Sequence, residues 1–182
     1  MKGDLLKQVI AQTIFATSIK ETRPILTGIN FKIDGNTLEA VATDTYRLAK
    51  KKVILGDSAY VNVTIPNKSL SEVSKIIVGN EEVTIDFFEK KVLFKVGNTI
   101  ISTRVINGVY PDTSRLIPEN FDYKLTTLTN DLVSAVDRAS LLSTDGNNIV
   151  KLSMNNERIE LSSRSQEIGS VVEKISNYEY QG

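Results

Sequence analysis

Asp44, Tyr46, Arg47 and Asp112 are the side chains whose types and spacing come nearest to acid–base chemistry in this chain. A pair of carboxylates, one protonated and one ionised, can cleave a glycosidic bond, so a carboxylate-based hydrolase is the enzymatic reading to weigh. The remaining composition argues against it. None of the 182 residues is His or Cys. That closes the Ser-His-Asp and Cys-His routes, imidazole general bases, disulfides, and zinc sites built on thiolate or imidazole. No glycine-rich phosphate loop, nucleophile elbow or metal-ligand cluster is present either, so no cofactor or metal is expected. Asp44-Thr45 reads equally well as a plain turn between strands.

The elements that would position these residues can be read from periodicity. Asp4 followed by Leu5, Leu6, Val9, Ile10, Thr13 and Ile14 predicts a helix over about 5–16, with Asp4 as its N-cap. Ile29, Phe31 and Ile33 alternate with polar residues up to Asp34-Gly35, and Leu38 to Thr43 resumes the alternation, which predicts paired strands about a turn. Further strands are expected at 46–54, 60–65, 83–88, 91–96 and 99–105. Pro66 opens a second helix whose Leu70, Val73, Ile76 and Ile77 share a face. With 41% hydrophobic and 24% charged residues, the chain has the make-up of a soluble globular protein. It lacks a secretory leader and any run of about 18 apolar residues, which fits a cytoplasmic protein.

The second part repeats the first. Asp131-Leu132 and Val136 fall on Asp4-Leu5 and Val9 at an offset of 127 residues, and Leu141-Leu142-Ser143-Thr144 falls on Ile14 to Thr17. A hairpin is expected again, with Val150, Leu152 and Met154 before Asn155-Asn156 and Ile159, Leu161 and Ser163 after it. This is the pattern of a duplicated domain. The boundary is placed near Ile117-Pro118, giving one complete domain over 1–117 and a partial one over 118–182, and hence a piece of a longer protein. Charge divides at the same place. Residues 1–116 carry 16 basic and 12 acidic side chains, a net of +4, and residues 117–182 carry 6 and 10, a net of −4.

Three strings then become specific: Arg23-Pro24-Ile25-Leu26-Thr27-Gly28, Val41-Ala42-Thr43-Asp44-Thr45-Tyr46-Arg47-Leu48-Ala49, and Asn107-Gly108-Val109-Tyr110-Pro111-Asp112 with Arg115-Leu116-Ile117-Pro118. Together, and inside a duplicated helix-hairpin unit, they resemble the bacterial sliding clamp family, the beta subunits of DNA polymerase III. The resemblance covers essentially the whole chain, from the middle domain into the first half of the third. It implies an α+β DNA-clamp fold, with repeated domains of two helices packed on antiparallel sheets. It also implies a homodimeric ring around double-stranded DNA that serves as a processivity factor without catalysis of its own, within a holoenzyme that carries polymerase and 3′–5′ exonuclease activities.

By position, the family's peptide-binding groove falls on Leu26, Thr43, Thr45, Tyr46, Arg47, Leu48, Pro111, Arg115 and Leu116. Leu26, Leu48, Pro111 and Leu116 would be apolar walls, while Thr43, Arg47 and Arg115 would form a polar edge for an extended peptide from the polymerase, the clamp loader or another partner. Leu48 and Leu116 read equally as core residues. Thr45 stands where the family has a small residue, and Asn147 where some relatives have an aromatic. Lys7, Lys20, Arg23, Lys68 and Lys75, with Gln8 and Gln12, would face DNA and attract phosphates without reading bases; singly, each is also an ordinary solvated side chain. The run Lys50-Lys51-Lys52 reads instead as protection of a strand edge. Leu141 and Leu142 fall where the family closes its ring, or else belong to the core marked by Leu132, Val136 and Ala139. Val171 and Val172 replace part of the acidic stretch expected at that interface, leaving Glu167 and Glu173. A protein-interaction module without a DNA role is the alternative; it would share the groove and lack the basic face.

Overall fold

The computed structural model describes residues 1–143, 149–165, 167 and 169–182, so Thr144 and Asn147 lie outside the described residues. The chain forms two compact units, Met1–Asp112 and Thr113–Gly182. In the first, helix α1 (Gly3–Ala11) is followed by short 3-10 turns at Ile14–Ala16 and Pro24–Thr27, and then by strands β1 (Gly28–Thr43) and β2 (Leu48–Pro66). Helix α2 (Asn67–Ile76) and strands β3 (Val83–Phe87), β4 (Lys91–Val96) and β5 (Thr99–Arg104) complete it. Strands β3, β4 and β5 form an antiparallel sheet in chain order.

Helix α1 departs from its expected limits at both ends. It starts at Gly3 behind Lys2, which makes no side-chain cap, and Asp4 sits in the first turn. The start is set by backbone pairing: Val83 N donates to Met1 O at 2.8 Å and Gly3 N to Glu81 O at 2.8 Å. The helix stops at Ala11 because the Thr13 hydroxyl donates to Val9 O at 2.7 Å, a local bond that competes with the helical ladder, and the chain tightens into a 3-10 turn. Pro66 is the N-cap of α2, with the extended backbone of the strand it ends, and not its first helical residue.

Asp34-Gly35 marks a change of partner within β1. Gly28–Gly35 pairs with Ala59–Pro66, and Thr37–Thr43 pairs with Leu48–Ile54. Gly35 stands at this register break with φ +61°, a conformation other residues adopt only with strain. The expected strands at 46–54 and 60–65 are correspondingly the two paired portions of the continuous β2.

One apolar cluster holds this unit. Leu6, Val9 and Ile10 from α1, Leu70 and Val73 from α2, Phe31 and Ile65 from β1 and β2, and Val92, Phe94 and Val96 from β4 are all buried in it. Ile77 joins them just past the helix, whereas Ile76 is only partly buried.

The second unit contains β6 (Lys124–Thr127), α3 (Thr129–Ser140), β7 (Lys151–Met154), β8 (Ile159–Ser165), β9 (Gly169–Ile175) and β10 (Tyr178–Gln181). The hairpin about Asn155-Asn156 is present, with Leu152 opposite Leu161. Strand β6, which periodicity did not reveal, pairs with β10. Burial places the repeat one residue from the letter match. Ala135 and Ala139 are buried with Leu132 packed beside them, so they answer to Val9, Thr13 and Leu6 at an offset of 126; at 127, buried Leu6 would answer to exposed Val133. Ala135, Ala139, Ile159, Leu161 and Ile175 are the buried residues of this core.

Phe94→Ala should destabilise the first unit by about 3–5 kcal/mol, because Phe94 is fully buried in the shared cluster and its removal leaves a cavity. Urea unfolding followed by circular dichroism will show this as a lower midpoint; an unchanged midpoint would contradict the assignment of the core.

Candidate peptide-binding site

The residues from Thr43 to Leu48 form the connection between β1 and β2, and its conformation is fixed by its own polar groups. Thr43 and Leu48 are the last cross-strand pair. The Thr43 hydroxyl donates to Arg47 O at 2.8 Å and accepts from Thr45 N at 3.1 Å. The Asp44 carboxylate accepts from Tyr46 N, Arg47 N and Arg47 Nε, each at 3.0 Å. The backbone bond from Arg47 is the largest influence holding the Asp44 carboxyl below its usual range, with Tyr46 N and the guanidinium adding to it against a smaller effect of burial. Asp44 is therefore a loop-closing carboxylate and is unsuited to be the protonated acid of a hydrolase. Among the described residues no group of three or more acidic side chains is placed to hold a metal ion.

A second connection fixes the turn to the rest of the unit. Thr43 N donates to the Tyr110 hydroxyl at 3.0 Å, across 67 residues of sequence. Burial pushes the Tyr110 phenol up, against a smaller lowering by the bond from Thr43, so the ring remains a neutral acceptor. Tyr110 lies in the Tyr-Pro-Asp string yet was absent from the expected site residues; its presence beside Pro111 was the available signal. Gly28, at the end of another of the strings, is required by a close approach, because a Cβ there would lie 2.5 Å from Ile65 O.

Around this turn the expected residues divide by exposure. Tyr46 is 93% exposed, Arg47 is exposed and Leu48 is half-buried. Thr43 is buried, as its bonds require. Leu26 is only 2% exposed, so unlike the apolar wall expected of it, its side chain offers almost no surface; it is buried, as is Val41, outside the main apolar cluster. Pro111 is exposed in the same unit. Arg115 and Leu116 belong to the second unit, where Leu116 N donates to Thr113 O at 3.2 Å and the Leu116 side chain is 60% exposed.

The basic residues expected to face DNA are not equivalent. Lys7 Nζ donates to Ile77 O at 3.3 Å, where an ammonium stabilises the C-terminal end of α2. Lys75 is paired with Glu72 at 2.7 Å. Lys20, Arg23 and Lys68 are exposed and make no ion pair among the described residues. Lys50 and Lys52 both bond Glu39, at 3.0 and 3.1 Å. Burial opposes ionisation of Glu39, and the two lysines outweigh it, holding the carboxyl below its ordinary value. In the second unit Leu141 is 72% exposed at the C-cap of α3 and Leu142 is half-buried. Glu173 is paired with Arg138 at 2.9 Å, and Val172 is exposed.

Comparison with known proteins gives this arrangement its family. The family model for the central domain of the DNA polymerase III beta subunit matches residues 1–112, and that for its C-terminal domain matches residues 114–182. The chain belongs to the DNA polymerase III beta subunit family. Beta sliding clamps of Staphylococcus epidermidis and Staphylococcus aureus are 49% identical to it over 181 residues, covering 98% of this chain. They are longer: the chain spans 48% of their length. The sliding clamp of Bacillus subtilis superposes with a TM-score of 0.91 at 47% identity, over 98% of this chain and 49% of that one. The beta subunit from Bartonella birtlesii, solved bound to griselimycin, superposes at 0.87 with 32% identity, over 100% of this chain and 50% of that one. The fold is thus the sliding-clamp α+β fold, with helices on antiparallel sheets.

Thr45 has φ +80°, the left-handed conformation that a β-branched residue adopts with strain. Thr45→Gly should relieve it and raise stability by about 1 kcal/mol, read as a higher thermal midpoint. A lower midpoint would mean that the conformation is not strained.

Proposed function

We propose that this chain is part of a ring-forming sliding clamp whose β1–β2 turn receives an extended peptide from the replicative polymerase subunit, the clamp loader or another clamp-binding protein. The observation that carries the reading is the turn itself. Thr43 is tied to Tyr110 and Arg47, while Tyr46 is exposed, Leu48 is half-buried, and the Arg47 guanidinium, held by Asp44, keeps an exposed side on a preorganised backbone. A peptide that meets such a surface does not have to order it, which favours binding of a short segment. Leu26, Thr43, Thr45, Tyr46, Arg47, Leu48 and Pro111 are the groove residues of the first unit, and Arg115 and Leu116 are assigned to peptide binding by the family resemblance alone. The first unit, Met1–Asp112, acts as one whole clamp domain and the second, Thr113–Gly182, as part of the next.

In this reading the whole protein is a homodimeric ring closed in part through Leu141 and Leu142. It encircles duplex DNA without sequence preference and acts in the cytoplasm. It catalyses nothing itself and needs no cofactor: it keeps a polymerase at its template by topology, so that phosphate contacts only position the ring. Of the basic set, Lys20, Arg23 and Lys68 serve the DNA face most directly, with Lys7 and Lys75 as flanking charge.

Arg47→Ala and Leu48→Ala should each weaken binding of a clamp-binding peptide about tenfold while leaving the circular dichroism spectrum intact. Unchanged fluorescence-polarisation titrations for both variants would remove the groove assignment. In the full-length ring, the double variant Lys20→Glu/Lys68→Glu should lower clamp-dependent DNA synthesis and reduce its sensitivity to salt. A salt profile like that of the wild type would instead support an interaction module without a DNA role.

A further inference from the structure

A basic depression opens on the first unit beside the stretch of chain that leads to Tyr110. Phe88, Lys90, Lys91, Arg104 and Asn107 are among the residues lining a hollow of about 930 Å³ beside the β3–β4 connection. Lys91 and Arg104 are direct cross-strand partners on β4 and β5. Like charges in that relation repel, and an antiparallel pair is more stable when something neutralises them. The neighbouring Lys95 is neutralised, by Asp86 at 2.8 Å. Lys90, Lys91 and Arg104 make no ion pair among the described residues, and Glu89 is the one carboxylate lining the hollow. Lys91 Nζ lies 5.2 Å from the centroid of Phe88, which is 47% exposed and gives the hollow an apolar wall.

Asn107 also lines an adjoining hollow of about 260 Å³, together with Gly108, Val109 and Tyr110. Tyr110 is the residue that holds Thr43. One stretch of chain, Arg104–Pro111, thus connects the basic hollow to the turn, over at most about 25 Å if fully extended.

We infer that the Lys90, Lys91 and Arg104 hollow docks an acidic segment flanking the groove-binding part of a partner peptide. This rests on the groove reading above and adds to it a charge preference for the flank. The Arg104 guanidinium suits a carboxylate in bidentate fashion, and the lysines extend the positive field around it. A flexible peptide fits better than duplex DNA, because the cations line a hollow with an aromatic wall and a carboxylate of its own. Such a charged flank mainly raises the association rate and sharpens partner choice.

Fluorescent peptides with one groove-binding sequence and a seven-residue flank, either Glu-rich or Ser/Gly, placed at one end or the other, can be titrated against the chain at two salt concentrations. An acidic flank at one end should tighten binding about three- to tenfold over the neutral flank at low salt, and the advantage should shrink as salt rises. In Lys91→Gln/Arg104→Gln the advantage should vanish while the neutral peptide binds as before. Equal binding of acidic and neutral peptides at both ends, or an advantage that survives in that variant, overturns the inference and leaves the groove intact. Loss of the advantage on adding duplex DNA, with direct DNA binding abolished in the same variant, makes the hollow a nucleic-acid surface and also overturns it. If no peptide binds, or if Arg47→Ala affects neither kind, the groove fails and this inference with it.

Discussion

The first unit depends on one apolar cluster that both helices share with the sheets. Leu6, Val9 and Ile10 from α1 meet Leu70 and Val73 from α2 and Phe31, Ile65 and Phe94 from the strands. An amphipathic helix committed to such a core has no freedom to rotate, so its polar stripe is presented outward in one orientation. Gln8 and Gln12 on α1 and Lys68 and Lys75 on α2 are exposed for this reason. The middle of α1 is joined to the end of α2 as well, through Lys7 and the carbonyl of Ile77. The position of the exposed charges on these two helices is therefore a consequence of which carbon surface is buried beneath them.

The distribution of charge is correspondingly selective. The excess of basic residues in the first unit is partly neutralised where it stands: Lys50 and Lys52 converge on Glu39, Lys75 on Glu72, and Lys95 on Asp86. The exposed pairs among these contribute little to stability, but all of them remove cations from the set that can act on a partner. Two groups of cations left without an ion pair among the described residues stand out, Lys20, Arg23 and Lys68 after the first helix and at the start of the second, and Lys90, Lys91 and Arg104 at the β3–β4 connection and on β4 and β5. Net charge alone does not distinguish them; pairing does.

Much of the fold was legible because burial leaves a period in the sequence. The alternation at Ile29, Phe31 and Ile33 and at Val92, Phe94 and Val96 marks real strands, and Leu70 and Val73 mark the inner face of α2. What escaped has local polar causes. The Thr13 hydroxyl ends α1 before its apolar pattern ends, and backbone pairing of Met1 and Gly3 replaces the cap that Asp4 suggested. Strand β6 has only Lys124 to Thr127 with which to show a pattern, and its half-buried Leu125 gives almost none. The repeat was visible, but its register was not: Asp, Leu and Val coincide by letter at 127, whereas the buried Ala135 and Ala139 place the helices at 126. In the candidate site, the residues of the turn were legible through their string. The bond that organises them was not, because Thr43 and Tyr110 are 67 positions apart.

Among the described residues the apolar core of the second unit has five buried side chains, two of them the methyl groups of Ala135 and Ala139. Its ladders are held mainly by Ile159, Leu161 and Ile175, against the long list of large residues closing over β1 and β4 in the first unit. Local opening is governed by how much carbon must be exposed to reach the open state. In heavy water, amide protons along β7, β8 and β9 will accordingly trade for deuterons well ahead of those in β4, and the chain will acquire mass in two phases.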